Sequence, residues 1–225
     1  MNINCIFLNS ITEYIPVSEP TLYVVSDRIC ADFLREKNEA VCIRLNNESE
    51  LSLWSGYAYF ITDGVPDNGH LEKVYCHIKN IPYEIGSSER IALREEKPSD
   101  LPLIYEMYED EECKKYLEPL PPLGSFDEKE RFEAVKNNYM LYEYGMWIVE
   151  KKDTHEVIGR VGFEFHDESG VCLGYMIKAS ERNKGYAREA VSVAVGYLKE
   201  VCPELKIYAE CNPDNVFSAR IIRNL

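Results

Sequence analysis

The segment that decides the fold is residues 173–190, which read LGYMIKASERNKGYAREA. An apolar strand passes through a polar loop into a helix. The helix is recognised by small and apolar residues that recur at steps of three and four and form one stripe. These residues are Ala187, Ala190, Val191, Ala194, Val195 and Leu198.

The loop of this segment has the composition of an anion site. A loop that leads into a helix exposes several backbone N–H groups, and these groups and the helix dipole attract negative charge. Gly185 lets the backbone approach a phosphate closely and adopt a positive φ, and the small Ala187 avoids a clash in the first turn. Positive charge is added by Arg182, Lys184 and Arg188. The residues predict a cradle for a pyrophosphate; the alternative is an ordinary strand–turn–helix with a solvated basic loop.

Outward from this segment, the preceding residues predict an antiparallel meander. Three runs with strand character are joined by short polar turns that suit hairpins. They are residues 146–150, 157–165 and 171–178. A strand over 90–94, a helix from 98 to 108 and a helix that opens at Phe126 precede them. The aromatic-rich stretch 139–147 either lines an amine pocket or belongs to the core.

The loop residues match the R/Q-x-x-G-x-G/A signature of the GCN5-related N-acetyltransferases, with Arg182, Gly185 and Ala187 at its three defined positions. Asn183 stands where the family often has glycine, and asparagine tolerates the same left-handed backbone. The chain also resembles the subgroup that includes the ribosomal-protein alanine acetyltransferases. The residues that carry this likeness are Gly174-Tyr175, the opening Arg90-x-x-Leu93-Arg94 with Ser99-Asp100, the strand end at 208–215, and Ser218. The resemblance covers residues 89–225 and implies an α/β (α+β) fold with a mixed, largely antiparallel central sheet.

The resemblance also implies a direct transfer, in which a deprotonated amine attacks the thioester carbonyl of acetyl-CoA. This co-substrate would lie between the strand ending near Lys178 and the strand starting near Lys206. A backbone N–H around Met176 and Ile177 would stabilise the developing negative oxygen. The implied cofactor-binding residues are Met176, Ile177, Lys178, Arg182, Asn183, Lys184, Gly185, Tyr186, Ala187, Arg188 and Asn215.

Two glutamates and a serine are the candidates for proton transfer. Glu164 and Glu210 are the candidate bases, because an ammonium must lose its proton before it attacks. Glu164 is alternatively a solvent-facing strand residue. Ser218 is the nearest substitute for the tyrosine acid that many relatives carry at the position of Ile222, and it is alternatively a helix cap or a cofactor contact. Asn215 is either a cofactor contact or a helix N-cap.

Residues 1–88 are predicted to form a separate small α/β domain of unknown role, before an acetyltransferase domain over 89–225. Strands and helices alternate here, which favours parallel pairing. The predicted strands are 21–26, 40–45 and 57–62, and the predicted helices are 28–37 and 70–79. The pattern loosely resembles a Rossmann-like fragment of the haloacid dehalogenase kind, in which Asp27 would serve a phosphohydrolase. No second carboxylate follows Asp27 at the DxD spacing, so the alternative is a helix cap in a non-catalytic module.

Composition and charge narrow the range of partners. The 225 residues carry a net charge of −14, which disfavours binding to nucleic acid. No apolar run is long enough to span a bilayer and the start lacks a basic signal region, so a cytoplasmic protein with no membrane partner is expected. The eight cysteines include no CxxC pair, so no metal site is expected.

The sequence leaves several alternatives for the acetyl acceptor and for the oligomeric state. Candidate acceptors are a protein N-terminus or a small amine such as a polyamine or an amino sugar, and a homodimer through either half is one option. Relatives continue with one or two further strands where this sequence stops at Leu225, so the acetyltransferase domain is expected to lack its last strands. The alternative function is therefore a non-catalytic acyl-CoA-binding or regulatory module.

Overall fold

The computed structural model describes residues 3–46, 48–57, 59–61, 68–167 and 169–223. The chain divides into two compact units, Met1–Tyr83 and Glu84–Leu225. Each hydrophobic cluster of buried residues lies within one unit. Within the described ranges, no helix is both long and apolar enough to cross a membrane.

The first unit is a parallel sheet with a helix against each face. Residues of α1 pack with Tyr23 and Val25 on one face, and residues of α2 pack with Leu22 and Val24 on the other. The described strands lie in the order β1-β2-β3-β4, and each neighbouring pair is parallel. The elements are β1 (Asn4–Leu8), β2 (Thr21–Val25), α1 (Arg28–Glu36), β3 (Ala40–Arg44), β4 (Phe60–Ile61) and α2 (Asn68–Ile78).

The predicted alternation and parallel pairing of this unit are confirmed. Asp27 caps α1, since its Oδ1 accepts the Cys30 N–H at 2.8 Å, which is the helix-cap alternative. The likeness to the haloacid dehalogenase kind stays a prediction. The strand expected over 57–62 is found only as Phe60–Ile61, and residues 62–67 lie outside the described part of the chain. Sequence reasoning missed β1, an edge strand in which only Leu8 is buried.

The second unit is built on one mixed sheet, whose described strands lie in the order β10-β9-β8-β7-β6-β5. All neighbours are antiparallel except β9 and β10, which are parallel. The strands are β5 (Glu84–Ser87), β6 (Ile91–Arg94), β7 (Met146–Lys151), β8 (Val157–Asp167), β9 (Gly170–Ile177) and β10 (Lys206–Tyr208). The helices are α3 (Leu101–Tyr108), α4 (Glu111–Tyr116), α5 (Phe126–Leu141), α6 (Tyr186–Val201) and α7 (Val216–Ile222). The predicted mixed, largely antiparallel fold is confirmed.

The two faces of this sheet have different partners because side chains alternate along each strand. On one face Leu173 and Ile177 of β9 pack with the apolar stripe of α6. On the other face Met176 packs with Ile104 and Met107 of α3. The aromatic stretch 139–147 contributes buried side chains to the α6 cluster, which is the core alternative for that stretch.

Strands β9 and β10 separate soon after they pair. The pairing joins only Gly170, Val171 and Cys172 to Lys206, Ile207 and Tyr208. Beyond it, the remainder of β9 has no neighbour among the described strands on that side. The predicted gap is therefore present, and it opens beside the residues that lead into the α6 loop.

Candidate functional site

The loop between β9 and α6 has two residues in left-handed conformation. After the 3-10 turn Ala179–Glu181, Asn183 has φ 62° and Gly185 has φ 89°. Asparagine and glycine are the residues that adopt this conformation at least cost, so the loop shape follows from the local sequence. The predicted tolerance of Asn183 for the left-handed backbone is confirmed.

The left-handed turns leave a row of backbone N–H groups without acceptors. Among the described residues, no acceptor takes the N–H groups of residues 183–188. The Glu189 N–H is the next in line, and it bonds to the Gly185 carbonyl at 3.2 Å. These N–H groups lie at the N-terminus of a 16-residue helix, where the helix dipole is positive. The arrangement suits an anion with several oxygens.

The three basic residues of the loop and of the first turn of α6 have different surroundings. The Arg182 side chain turns inward, where its Nε donates to the Ile177 carbonyl at 3.0 Å and its Nη2 to Asp110 Oδ1 at 2.7 Å. Lys184 Nζ lies 3.1 Å from Glu181 Oε1. Arg188 is exposed and has no ion-pair partner among the described residues. Arg182 thus braces the loop, while Arg188 is available to a ligand.

Arg90 braces the loop from the other side, and sequence reasoning did not assign it to the site. Its Nη1 donates to the Lys184 carbonyl at 3.1 Å, and its Nε donates to Glu189 Oε2 at 2.8 Å. Its guanidinium also lies 4.4 Å from the centre of the Tyr186 ring. In the sequence, Arg90 is notable only as part of the Arg90-x-x-Leu93-Arg94 motif, and that motif does not predict a contact with the loop.

The backbone of β9 presents further N–H groups to the gap. The Lys178 N–H donates to the Ile158 carbonyl of β8 at 2.8 Å. Because successive N–H groups of a strand point to opposite sides, those of Tyr175 and Ile177 point away from β8, into the gap. The Met176 N–H points to β8 by the same alternation. Of the two residues expected around the oxyanion, Ile177 therefore has its N–H on the gap side.

The two candidate bases lie close to one cysteine. Glu164 lies opposite Cys172 in the β8–β9 register. Burial raises the pKa of the Cys172 thiol, the charges of Glu210 and Glu164 raise it further, and a backbone hydrogen bond with Glu210 lowers it. Both glutamates are exposed, and neither forms an ion pair with a described residue. The fold thus brings together two carboxylates that are far apart in sequence.

Asn215 and Ser218 are joined to each other at the start of α7. Asn215 Oδ1 accepts the Ser218 N–H at 3.1 Å, so Asn215 is the N-cap of α7, the alternative to a cofactor contact. The Ser218 hydroxyl lies 2.8 Å from the hydroxyl of Tyr175 on β9. Ile222 lies on the same helix and carries no titratable group.

The second unit of the chain matches a known protein family. Residues 90–225, more than half of the chain, match the family described as the acetyltransferase (GNAT) domain. The chain belongs to the GNAT acetyltransferase family. Acetyltransferases of the GNAT family use acetyl-CoA as acetyl donor, and the described residues contain no group of His, Cys, Asp and Glu that could hold a metal ion.

Relatives of this GNAT chain include two uncharacterized proteins from Bacillus species. The uncharacterized N-acetyltransferase p20 of Bacillus licheniformis is 26% identical over 140 residues, which cover 61% of this chain and 79% of that protein. The uncharacterized N-acetyltransferase YjdG of Bacillus subtilis is 31% identical over 112 residues, covering 45% and 66%. Among solved structures, RimL, a ribosomal L7/L12 alpha-N-protein acetyltransferase in complex with coenzyme A, superimposes with a TM-score of 0.51 at 17% identity. That match covers 63% of this chain and 82% of RimL, and it shows the fold alone.

Proposed function

We propose that this protein is an acetyl-CoA-dependent N-acetyltransferase that acetylates a primary amine, either a protein N-terminus or a small amine. The observation that carries the proposal is the row of N–H groups over residues 183–188, at the N-terminus of α6, for which the described part of the chain offers no acceptor. A pyrophosphate offers several anionic oxygens to such a row, and the coenzyme contains one. The row lies next to the gap between β9 and β10, where the acyl end would be held.

The residues present fit the coenzyme. Gly185 has no side chain to obstruct a phosphate, and the exposed Arg188 adds a positive charge. Arg182 and Arg90 hold the loop from two sides, so the N–H groups are preorganised before the ligand arrives. The proposed cofactor-binding residues remain those from Met176 to Lys178, those from Arg182 to Arg188, and Asn215, with Arg182 and Asn215 acting through the loop and helix that they fix.

When bound, acetyl-CoA supplies an acetyl thioester that an amine can attack. The Ile177 N–H, which points into the gap, is placed to donate a hydrogen bond to the carbonyl oxygen as negative charge develops on it. A fixed N–H donor needs no reorganisation at that moment. Its contribution is therefore made in the transition state more than in the ground state.

The glutamates near Cys172 are proposed to deprotonate the acceptor amine. Primary amines are mostly ammonium ions at neutral pH, because their pKa values lie at about 8 for an α-amino group and about 10.4 for a lysine-like amine. Glu164 or Glu210 would bind the ammonium and accept its proton directly or through water. Both carboxylates have no ion-pair partner among the described residues and are thus available to a cation.

The cradle is tested by calorimetric titration of the full chain with acetyl-CoA and with coenzyme A. We expect saturable binding that Gly185→Glu abolishes, because the new side chain is strained at φ 89° and brings a carboxylate to the phosphate position. The matched control is Gly196→Glu, an exposed position on the same helix where an added Cβ meets nothing within 4 Å. Equal binding by both variants would contradict the cradle.

Turnover distinguishes the enzyme from a binding module. A panel of amines and peptide N-termini is assayed for release of the free thiol of coenzyme A. Peptides with a free N-terminus are the first choice, since RimL, one of the solved structures with this fold, is a protein alpha-N-acetyltransferase. The isoleucine at position 222 favours the second candidate, a non-catalytic acyl-CoA-binding module, because it cannot donate a proton. Binding without turnover of any amine would support that candidate.

A further inference from the structure

One face of β8 and β9 carries a positive and a negative charge a short distance apart. Arg160 of β8 lies opposite Met176 of β9, and Met176 packs against α3. Because side chains two residues apart share a face of a strand, Glu164 lies on this α3 face as well. Gly174 of β9 lies on the same face, between the levels of the two charges. A cation and an anion therefore flank a position that has no side chain.

The space above Gly174 leads from solvent to a buried end. Among the described residues, a Cβ at Gly174 would have only the Met146 side chain within 4 Å, with Sδ at 3.7 Å. Glu164 is exposed, Gly174 is partly exposed and Arg160 is 4% exposed. Tyr108, at the end of α3, lies near both charges, since burial raises the pKa of its hydroxyl, Arg160 lowers it and Glu164 raises it. This hydroxyl has no hydrogen-bond partner in the described part of the chain.

Arg160 has hydrogen-bond donors that no described residue uses. Its Nη2 donates to Glu96 Oε2 at 2.9 Å, and the other carboxylate oxygen of Glu96 accepts from Arg131 Nη2 at 3.0 Å. The Arg160 Nε is buried without a partner, although a guanidinium has five N–H groups and buried donors normally meet acceptors. Arg160 also shares its counter-ion with Arg131, while Glu128, on α5, lies near Tyr105. This end of the space therefore suits a group with negatively charged oxygens.

We propose that Arg160 determines acceptor specificity and selects an amine that also carries a carboxylate. The inference rests on the proposed function, in which Glu164 is one of the two residues that bind the ammonium. The ammonium lies at Glu164 and the carboxylate at Arg160, so opposite charges meet at both ends of the space. The Tyr108 hydroxyl donates to the same carboxylate. A polyamine places a second cation against Arg160 and is therefore disfavoured.

The carboxylate of the acceptor can come from two sources. It belongs either to a free amino acid, in which one carbon separates it from the amine, or to an acidic side chain near the N-terminus of a peptide. The Cα atoms of Glu164 and Arg160 are four residues apart on one strand, which is about 13 Å. This separation suits the longer acceptor, so we expect the peptide.

The first test uses the wild-type full chain, saturating acetyl-CoA and matched acceptors, with release of the free thiol as the readout. A dipeptide amide with aspartate in second place is compared with its asparagine isostere, free alanine with alaninamide, and both pairs with spermidine. We expect kcat/KM to favour the carboxylate in the peptide pair by about tenfold or more, mainly through KM, because the carboxylate accepts charge-assisted hydrogen bonds. Spermidine should be poorer than the asparagine peptide.

The second test removes the guanidinium. Arg160→Gln should bring the aspartate-to-asparagine ratio to about one without changing acetyl-CoA affinity, whereas Arg160→Lys keeps the charge and should retain part of the preference. The matched control is Arg94→Gln, which removes another arginine with a mostly buried side chain, one that binds Asp100 and Glu150. The control should keep the wild-type ratio. If Arg160→Gln does not fold, the wild-type comparison decides.

The outcomes separate this specificity from the proposed function. Turnover without a preference for the carboxylate in either pair, spermidine as the best acceptor, or a preference that survives in folded Arg160→Gln overturns the role of Arg160 and leaves the proposed function standing. A preference in the alanine pair alone keeps the role of Arg160 and assigns the carboxylate to a free amino acid. Binding of acetyl-CoA without turnover of any amine overturns the proposed function, and the specificity with it.

Discussion

Arg182 links three parts of the second unit through one side chain. It donates to the carbonyl of Ile177 at the end of β9 and to the carboxylate of Asp110, which caps α4. Its Nη2 also lies 3.3 Å from Cys113 Sγ. Each contact is partly buried, so removal of the guanidinium would leave the Ile177 carbonyl and Asp110 to find water instead. The residue that defines the signature thus acts on the shape of the loop.

Arg182→Met keeps the length of the side chain and removes its hydrogen bonds. We expect the free energy of unfolding to fall by about 1–3 kcal/mol and acetyl-CoA affinity to fall about tenfold, because the loop loses its inner brace. Arg188→Met is the control, since its exposed side chain contacts no described partner and its loss should lower affinity without lowering stability. Urea unfolding and calorimetry measure the two effects. Unchanged stability of Arg182→Met would argue against the brace.

Asp110 makes this link sensitive to acid. The hydrogen bond from Arg182 lowers the pKa of the Asp110 carboxyl below its ordinary value. A lowered folded-state pKa contributes stability that is present above the unfolded pKa of about 3.9 and is lost as the pH falls through the folded-state value.

Asp110→Asn keeps an N-cap side chain and removes the charge. We expect the variant to be less stable than wild type near neutral pH, with the difference shrinking as the pH falls below about 4, because protonation removes the charge from wild type too. Urea unfolding across that range measures it, with Glu111→Gln, a 91% exposed side chain, as control. A difference that stays constant with pH would rule out the ionic contribution.

At the scale of the elements, β8 approaches β7 at a position where only glycine fits. A Cβ at Gly162 would lie 1.9 Å from the Gly145 carbonyl oxygen, and this carbonyl accepts the Phe163 N–H at 3.0 Å. The clash is with backbone, which cannot rotate away as a side chain does. At the facing Gly174 of β9, a Cβ would lie 3.7 Å from Met146 Sδ, an ordinary contact.

Gly162→Ala and Gly174→Ala therefore form a matched pair. The first is expected to destabilise the chain by about 3 kcal/mol or more, because the two strands must move apart. The second should change the free energy of unfolding by less than about 1 kcal/mol. Urea unfolding measures the stability of both variants. Equal unfolding midpoints would show that β7 and β8 move apart at little cost in free energy.

At the scale of the whole molecule, each unit has clusters of buried apolar residues of its own. The clusters around α1 and α2 belong to Met1–Tyr83, and those around α6 and α3 belong to Glu84–Leu225. A segment with its own core is able to fold by itself. We propose that the acetyltransferase domain begins with β5 and that the first unit is a non-catalytic domain, in which Asp27 is a helix cap.

Residues 84–225 alone are therefore expected to fold and to bind acetyl-CoA within about twofold of the full chain, since every brace of the cradle lies in that unit. The measurement is calorimetry on this fragment beside the full chain. Residues 1–83 alone should bind no acetyl-CoA. A folded fragment that has lost affinity would assign the first unit a part in the site.

The sequence by itself determined the features that depend on neighbours along the chain. The apolar stripe of α6, the left-handed turns at Asn183 and Gly185, the hairpin meander and the cap at Asp27 each follow from a few adjacent residues. Side-chain periodicity and backbone sterics act over such short spans. The anion cradle and the family resemblance were therefore available from residues 173–190. Strand β5 and helix α4 were missed because they are short and weakly patterned.

Only the tertiary structure decided which distant residues meet. Arg90 reaches the loop across 94 residues, Arg182 reaches Asp110 across 72, and Tyr175 reaches Ser218 across 43. It also showed that Arg182 braces the loop and that Asn215 caps α7, while the contacts of both residues with the coenzyme stay a prediction. Such contacts are set by how strands pair and helices pack on the sheet, and local propensity carries no information about that arrangement.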